Sequence, residues 1–211
     1  MNIVSRLLIA LTFIGCVGAQ AAETPPDVLA KNTTQEVIAI LKQDKEIQSG
    51  NQKKLLDLID AKVLPHFDFS QMTKLAVGRN WRSATPAQQQ MLVAEFRTLL
   101  VRTYSNSLAA YKNQVIEFKP FKMRPGDTDV TVKTQVIQPG AQAIPIDYAM
   151  QKTPDGWKVY DVTVDGVSLV INYRSSFANE VRKSGIDGLI KVMVEKNQSA
   201  SKSSQNLTGN K

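Results

Sequence analysis

The period of the hydrophobic pattern changes at Val115, and this change constrains the fold more than any other feature of the chain. Before Val115 the apolar residues recur at helical spacing, whereas after it they alternate with polar residues over four segments. Short connections rich in Pro, Gly and Asp separate these segments at residues 124–127, 138–140 and 153–156. Four consecutive strands joined in this way favour an antiparallel meander. With helices before and after the strands, the sequence predicts an α+β domain with a four-stranded antiparallel sheet packed against N-terminal and C-terminal helices.

The fourth strand opens a long run, GWKVYDVTVDGVSLVINYRSSF, over residues 156–177. Its alternation places Tyr160, Val162 and Val164 on one face, and Asp165-Gly166 is a turn or bulge signal within the run. A strand that bends at a glycine and continues this far predicts a highly curved sheet.

Start and stop signals predict the helices, and the clearest of them is Thr85-Pro86-Ala87-Gln88. It offers an N-cap threonine, a proline at the first helical position and a capping-box glutamine. Other helices are predicted over residues 25–50, 52–62, 68–77 and 187–196, and from Ser175 or Ser176 to Gly185. The helix that starts at Pro86 should reach about Lys112 and carry a wide apolar stripe of Met91, Leu92, Phe96, Leu99, Leu100, Tyr104, Leu108 and Tyr111.

The N-terminus has the pattern of a secretory signal peptide over residues 1–21, with Arg6 ahead of an apolar run and a small-residue cleavage site ending at Ala21. The run is too short for a bilayer span of roughly 20 residues. Cys16, the one cysteine, lies inside this signal, and lipoprotein processing at Cys16 is the alternative. Residues 22–197 are then the folded domain, and the polar residues 198–211 are a predicted disordered tail.

The charge of the chain points to anionic partners. Removal of Arg6 with the signal leaves 25 basic against 19 acidic residues, a net charge of +6. For an exported protein we expect anionic lipid headgroups or acidic protein surfaces as partners, and no nucleic acid.

The sequence offers no constellation typical of an enzyme. His66 is the single histidine, and no nucleophile elbow, zinc-protease motif or cysteine cluster accompanies it. We therefore expect a structural or surface role for His66, no metal and no cofactor. Asp147 and Asp161 alternate with apolar residues and should point away from the apolar face, although a bulge would reverse that phase.

Two long motifs carry a resemblance to a known family. The pattern VxDVxVxGVSLVxNYRxxF ends the sheet, and LAVGRNWRSATPAQQ, residues 75–89, precedes FRTLLVRTYSNSL in the long helix. In both, the chain resembles the periplasmic phospholipid carriers of the Mla (maintenance of lipid asymmetry) ABC transport system, the toluene-tolerance family. The resemblance covers nearly all of the mature chain, up to about Asn197.

The resemblance implies an NTF2-like curved sheet, a periplasmic location and a phospholipid as cargo, with no cofactor. It also implies two docking partners, an outer-membrane lipoprotein complex and the inner-membrane ABC transporter with its lipid-binding subunit. We expect a monomer.

The apolar faces of the strands and of the long helix are then the predicted lipid-binding surface. Tyr173 and Arg174 should lie at its mouth, where the guanidinium of Arg174 suits a lipid phosphate; a structural salt bridge is the other interpretation. Trp81 and Arg82 are interpreted as a packing anchor and a solvated charge. The predicted lipid-binding residues are Phe96, Leu100, Tyr104, Val132, Ile146, Tyr148, Met150, Tyr160, Val162, Val164, Val167, Leu169, Tyr173 and Arg174.

Two other functions fit the same residues. One is an NTF2-like periplasmic enzyme that acts on a hydrophobic small molecule, and the other is an adaptor whose sheet is simply packed. Apolar alternation does not distinguish side chains that fill a core from side chains that line a void.

Overall fold

A computed structural model describes residues 23–208 of the chain, and the predicted signal peptide and Cys16 lie outside these residues. Five helices precede an antiparallel sheet of five strands in the order β1-β2-β3-β4-β5, and a sixth helix follows it. The α+β fold with a curved sheet is confirmed, but the predicted strand number of four is wrong. The elements are α1 Pro26–Gln43, α2 Lys45–Gln48, α3 Gln52–Lys62, α4 Phe69–Val77, α5 Pro86–Ala109, β1 Val115–Phe118, β2 Asp129–Ile137, β3 Ile144–Thr153, β4 Gly156–Val164, β5 Val167–Ser168 and α6 Ile171–Thr208.

The fifth strand exists because the chain reverses at Asp165-Gly166. Both residues have positive φ, 49° and 78°, which is the backbone of a two-residue hairpin turn. Val164 pairs with Val167 across it, so the run is a hairpin and not one bent strand. Helix α6 follows at once and starts at Ile171, whose N–H donates to the Ser168 hydroxyl at 2.9 Å. The prediction of a cap at Ser175 or Ser176 is therefore wrong.

A β-bulge at Tyr160 changes which residues of β4 face the core. Ala149 pairs with Asp161 and Met150 with Val159, so Tyr160 is the extra residue. Its hydroxyl donates to the Asp129 carboxylate at 2.9–3.0 Å, on the polar face of the sheet. The prediction that Tyr160 shares a face with Val162 is wrong for this reason, and Val159 takes the buried position.

Local signals predicted the N-terminal helices well, with one exception. The capping box of α5 is reciprocal: Gln88 N–H donates to Thr85 Oγ1 at 3.2 Å, and Thr85 N–H to Gln88 Oε1 at 2.9 Å. The bounds of α3 match the prediction, and those of α4 differ from it by one residue. The first helix does not reach residue 50, because the Asp44 carboxylate accepts the N–H groups of Glu46 and Ile47 and starts α2.

Three separate apolar clusters form the core. The N-terminal cluster joins α1, α2 and α3, and α5 packs against α6, α4 and α3. The other two clusters lie on the helices and on the sheet. We call them the helical cluster, centred on Met72, Leu92, Phe96, Leu100, Phe177, Leu189 and Met193, and the sheet cluster, centred on Val132, Met150, Trp157, Val159 and Val162.

Helix α6 is interrupted at Gly185, where φ is 71° and ψ is −173°. Beyond this break, the buried Asn197 anchors α6 to α5: its amide donates to the Glu95 backbone carbonyl at 3.0 Å, and Arg102 donates to the Asn197 carbonyl at 2.5 Å. The helix continues to Thr208 and so includes residues 198–208, most of the tail; the disorder that the tail's composition predicts stays a prediction. The stretch contains neither Gly nor Pro, so nothing in it breaks the helix.

Candidate functional site

The helical cluster and the sheet cluster meet along a line that we call the seam, and the chain ties them together at two places. The first tie is at Phe67, which packs against both clusters and bridges to Val159. Next to it, Asp68 N–H donates to the Val159 carbonyl at 2.9 Å. The second tie is Leu169-Val170, where Leu169 packs on the sheet cluster and Val170 is buried in the helical cluster.

Most of the predicted lipid-binding residues belong to one of these two clusters. Phe96 and Leu100 are buried in the helical cluster, with Tyr104 and Tyr173 packed against it while still partly exposed. The sheet cluster contains the buried residues Val132, Met150 and Val162 and, partly exposed beside them, Ile146, Tyr148, Val164 and Leu169.

Three predicted residues lie elsewhere. Tyr160 is on the polar face of the sheet, bound to Asp129. Val167 is 54% exposed at the sheet edge and packs in neither cluster, because the hairpin turns it outward. Arg174 is exposed on α6 and lines a surface depression between α6 and α4.

Aromatic rings form the helical side near the start of α6. The Phe96 ring lies 5.2 Å from the rings of both Tyr173 and Phe177, with edge-on geometry. Tyr104 adds a polar group there: burial raises the pKa of its hydroxyl, and the neighbouring Tyr173 hydroxyl contributes to the same shift. The helical side is thus apolar with two tyrosine hydroxyls near its edge.

The sheet side keeps its polar atoms satisfied within the sheet. The buried Thr134 hydroxyl donates to the Ile146 carbonyl at 2.8 Å. Burial raises the pKa of Tyr148, and the adjacent Thr134 hydroxyl partly offsets that shift. Tyr148 is therefore neutral at ordinary pH, so the sheet presents a surface without charge to the seam.

A basic depression of about 340 Å³ lies between α4, the turn after it and α6. It is lined by Lys74, Arg79, Arg82 and Arg174 together with Leu75, Gly78 and Trp81. Among the described residues, none of the four cationic side chains has a hydrogen bond or an acidic partner. The salt bridge considered for Arg174 is therefore not found.

The sequence singled out Arg82 and Arg174 but did not bring them together, because they lie 92 residues apart. Gly78 is the residue whose sequence signal could have been used. A glycine directly after the helix predicted over residues 68–77 is typical of a helix end, but Gly78 also makes room: a Cβ built there would lie 3.1 Å from Arg174 Nε. A depression of about 370 Å³ between α1 and β1 contains none of the predicted residues.

Asp161, expected to point away from the apolar face, makes hydrogen bonds within the protein. Asp161 accepts the Val170 N–H at 3.2 Å and the Ser168 hydroxyl at 2.5 Å, so it holds the start of α6 in place.

Within residues 23–208 no group of three or more His, Cys, Asp or Glu side chains is placed to hold a metal ion. No helix in that range combines the length and the apolar character needed to cross a membrane.

Comparison with known proteins identifies relatives over most of the chain. The model of the MlaC protein family matches residues 31–195. Toluene tolerance protein ttg2D of Pseudomonas putida is 29% identical over 188 residues, which cover 89% of this chain and 86% of that protein. The intermembrane phospholipid transport system binding protein MlaC of Haemophilus influenzae is 24% identical over 175 residues, or 82% of each chain.

A solved structure shares the fold. The phospholipid-binding protein of Ralstonia solanacearum, determined in complex with a phospholipid, superposes with a TM-score of 0.78 at 37% identity, over 84% of this chain and 99% of that one. The names of the Haemophilus influenzae and Ralstonia solanacearum proteins describe phospholipid transport and phospholipid binding.

Proposed function

Because the chain belongs to the MlaC protein family, we propose that it is a monomeric periplasmic carrier that binds a diacyl phospholipid by its acyl chains. It exchanges this cargo with an outer-membrane Mla lipoprotein complex and with the inner-membrane Mla ABC transporter through its lipid-binding subunit, and so maintains outer-membrane lipid asymmetry. The predicted signal peptide supports the location, and the phospholipid complex of the Ralstonia solanacearum relative supports the cargo.

The observation that carries the proposal is the seam. Two apolar surfaces face the boundary between the sheet and the helices, yet the buried residues on the two sides form separate clusters. Acyl chains can enter between the two clusters without breaking either of them. The ties at Phe67 and at Leu169-Val170 would keep the two sides connected while they separate.

The free energy of solvation explains why both chains must be enclosed. Burying one methylene is worth about 0.8 kcal/mol, so two chains of roughly 15 methylenes represent on the order of 20 kcal/mol. Leaving five methylenes in water would cost about 4 kcal/mol, or roughly a thousandfold in affinity. The headgroup can remain in water, because its transfer from the membrane surface costs little.

A charge placed at the seam tests this function. Ile146→Glu puts a carboxylate beside the acyl chains, and we expect bound phospholipid to fall severalfold. Burying even a neutral polar group without a hydrogen bond costs roughly 2–7 kcal/mol, and an unpaired charge costs more. Organic extraction of the purified variant followed by lipid mass spectrometry measures the content.

Ile144→Glu is the matched control, since Ile144 lies two residues earlier on the same strand and face but is 44% exposed. It should retain the lipid content of the unmodified protein. If a folded Ile146→Glu variant retains full occupancy, the seam is not the acyl-chain site.

A further inference from the structure

The basic depression concentrates positive charge without compensation. Its lining contributes four cationic side chains, Lys74, Arg79, Arg82 and Arg174, and no carboxylate. No salt bridge involves any of the four among the described residues, whereas Lys53, Lys54, Lys62 and Arg97 on α3 and α5 all pair with acids. Like charges this close repel one another, and an anion bound between them relieves that repulsion.

The depression is also partly organised in advance. Gly78 has a φ of 62°, and the Arg174 guanidinium lies against its backbone where any other residue would place a Cβ. Leu75 and Trp81 contribute apolar surface between the charges and pack on the helical cluster. Arginine side chains around such a concave surface are well suited to the oxygens of a phosphate.

The start of α6 connects this depression to the seam. Leu169 packs on the sheet cluster, Val170 and Tyr173 pack in the helical cluster, and Arg174 lines the depression. Arg174 follows Val170 by four residues, which is about 6 Å along a helix. A lipid whose chains lie in the seam therefore has its phosphate within reach of the cations.

We propose that the depression binds the phosphate of the carried lipid and selects anionic over zwitterionic headgroups. This inference rests on the proposed carrier function. Phosphatidylglycerol brings one negative charge, whereas phosphatidylethanolamine also brings an ammonium group for which the depression has no carboxylate. The excess positive charge therefore favours phosphatidylglycerol.

A competition experiment tests the selection. Delipidated full-length mature protein is incubated with vesicles of equal phosphatidylglycerol and phosphatidylethanolamine content, and the bound lipids are counted by mass spectrometry. We expect a roughly threefold to tenfold preference for phosphatidylglycerol, the size that one or two partly screened charge contacts provide. In Arg82→Gln/Arg174→Gln the preference for phosphatidylglycerol should fall to about one.

Lys183→Gln/Lys196→Gln is the matched control, because it also removes two exposed charges from the protein, both on α6, outside the depression. It should keep the preference. Equal binding of both lipids by the unmodified protein, or an unchanged preference in Arg82→Gln/Arg174→Gln, would overturn the selection and leave the carrier function intact. A protein that takes up neither lipid would overturn the carrier function itself.

Inorganic phosphate distinguishes a headgroup site from a site for free phosphate. Calorimetric titration should detect phosphate binding to the delipidated protein and much weaker binding to protein loaded with phosphatidylglycerol. Equal phosphate binding by both forms would mean that the headgroup does not occupy the depression.

Discussion

Asp161 shows how a single side chain can set the geometry of the proposed site. Its carboxylate accepts the Val162 and Val170 N–H groups and the Ser168 hydroxyl, so it fixes the two-residue strand β5 and the start of α6 together. These are the residues at which the seam and the basic depression meet. Asp161 therefore supports the structure at this junction.

Replacement of Asp161 measures this role. Asp161→Ala leaves the Val170 N–H and the Ser168 hydroxyl without their partner, and we expect the free energy of unfolding to fall by about 1–3 kcal/mol. Urea denaturation followed by circular dichroism measures the change. Asp147→Ala is the control, because the Asp147 side chain has no hydrogen bond or ion pair among the described residues, and a similar loss in both variants would contradict the assigned role.

His66 should make stability depend on pH. Burial and, less strongly, the Lys158 charge lower the pKa of His66 from its ordinary value of 6.5, with Glu36 acting in the opposite direction. The unfolded chain therefore binds this proton more readily, and the contribution to stability is present above pH 6.5 and is lost as the pH falls toward the folded pKa. The melting temperature at about pH 5 should thus lie closer to that at about pH 7.5 in His66→Gln than in the unmodified protein. An identical difference in both would show that His66 does not titrate in this way.

Residue by residue, the sequence predicted the apolar faces well except where the backbone departs from regularity. Val132, Met150 and Val162 are buried as their alternation predicts. Tyr160 is not, because a bulge inserts one residue without changing the composition, and alternation cannot locate it.

At the scale of the elements, the break in α6 divides the helix into two parts with different partners. The part before Gly185 carries Tyr173 and Phe177 against Phe96, and the part after it is anchored through Asn197. The backbone at Gly185 is accessible mainly to glycine, since its φ is 71° and its ψ is −173°.

Gly185→Ala should therefore lower the free energy of unfolding by about 1–3 kcal/mol through backbone strain. No atom lies within 4 Å of a Cβ built at Gly185, so a steric clash would not explain the loss. Lys183→Ala, at an exposed helical position two residues earlier, is the control and should change little. Thermal unfolding of the two variants measures this difference. If Gly185→Ala is as stable as Lys183→Ala, the backbone at Gly185 tolerates alanine and is not strained by it.

Helix α5 could be predicted because its start signal lies in neighbouring residues, whereas strand β5 has no such signal and could not be predicted. The α5 capping box is formed by residues three apart, so Thr85 and Gln88 contain the whole signal. Strand β5 has two residues, and its pairing with β4 depends on whether Asp165-Gly166 reverses the chain or merely bends it. The apolar run through Val167 looks the same in both cases.

For the molecule as a whole, the positive charge bears on how the carrier meets a membrane. The full chain has a formal net charge of +7 at pH 7, and charges of this kind accelerate encounter more than they add affinity. The range of this attraction shrinks from about 30 Å at 0.01 M salt to about 8 Å at 0.15 M.

Raising salt over that range should slow transfer of a fluorescent phospholipid to anionic vesicles by several-fold. Transfer to vesicles of neutral lipids should change much less, which provides the control. Rates to anionic vesicles that do not depend on salt would mean that encounter is governed by apolar contact.

The separation of the core into clusters is the property of the whole molecule that the sequence did not indicate. Strand alternation identifies Ile146 as inward, and helical spacing does the same for Phe96, but neither pattern shows that they belong to different clusters. That division depends on how helices and strands far apart in the chain are packed. The basic depression has the same origin, since Gly78 and Arg174 meet only in the folded protein.

Native mass spectrometry of the mature protein, purified without added lipid, tests the central claim most directly. We expect the folded monomer to carry one added mass equal to that of a diacyl phospholipid, released on collisional activation and absent after organic extraction. A folded protein that shows the mass of the polypeptide without lipid, and that takes up none from phospholipid vesicles, would contradict the claim.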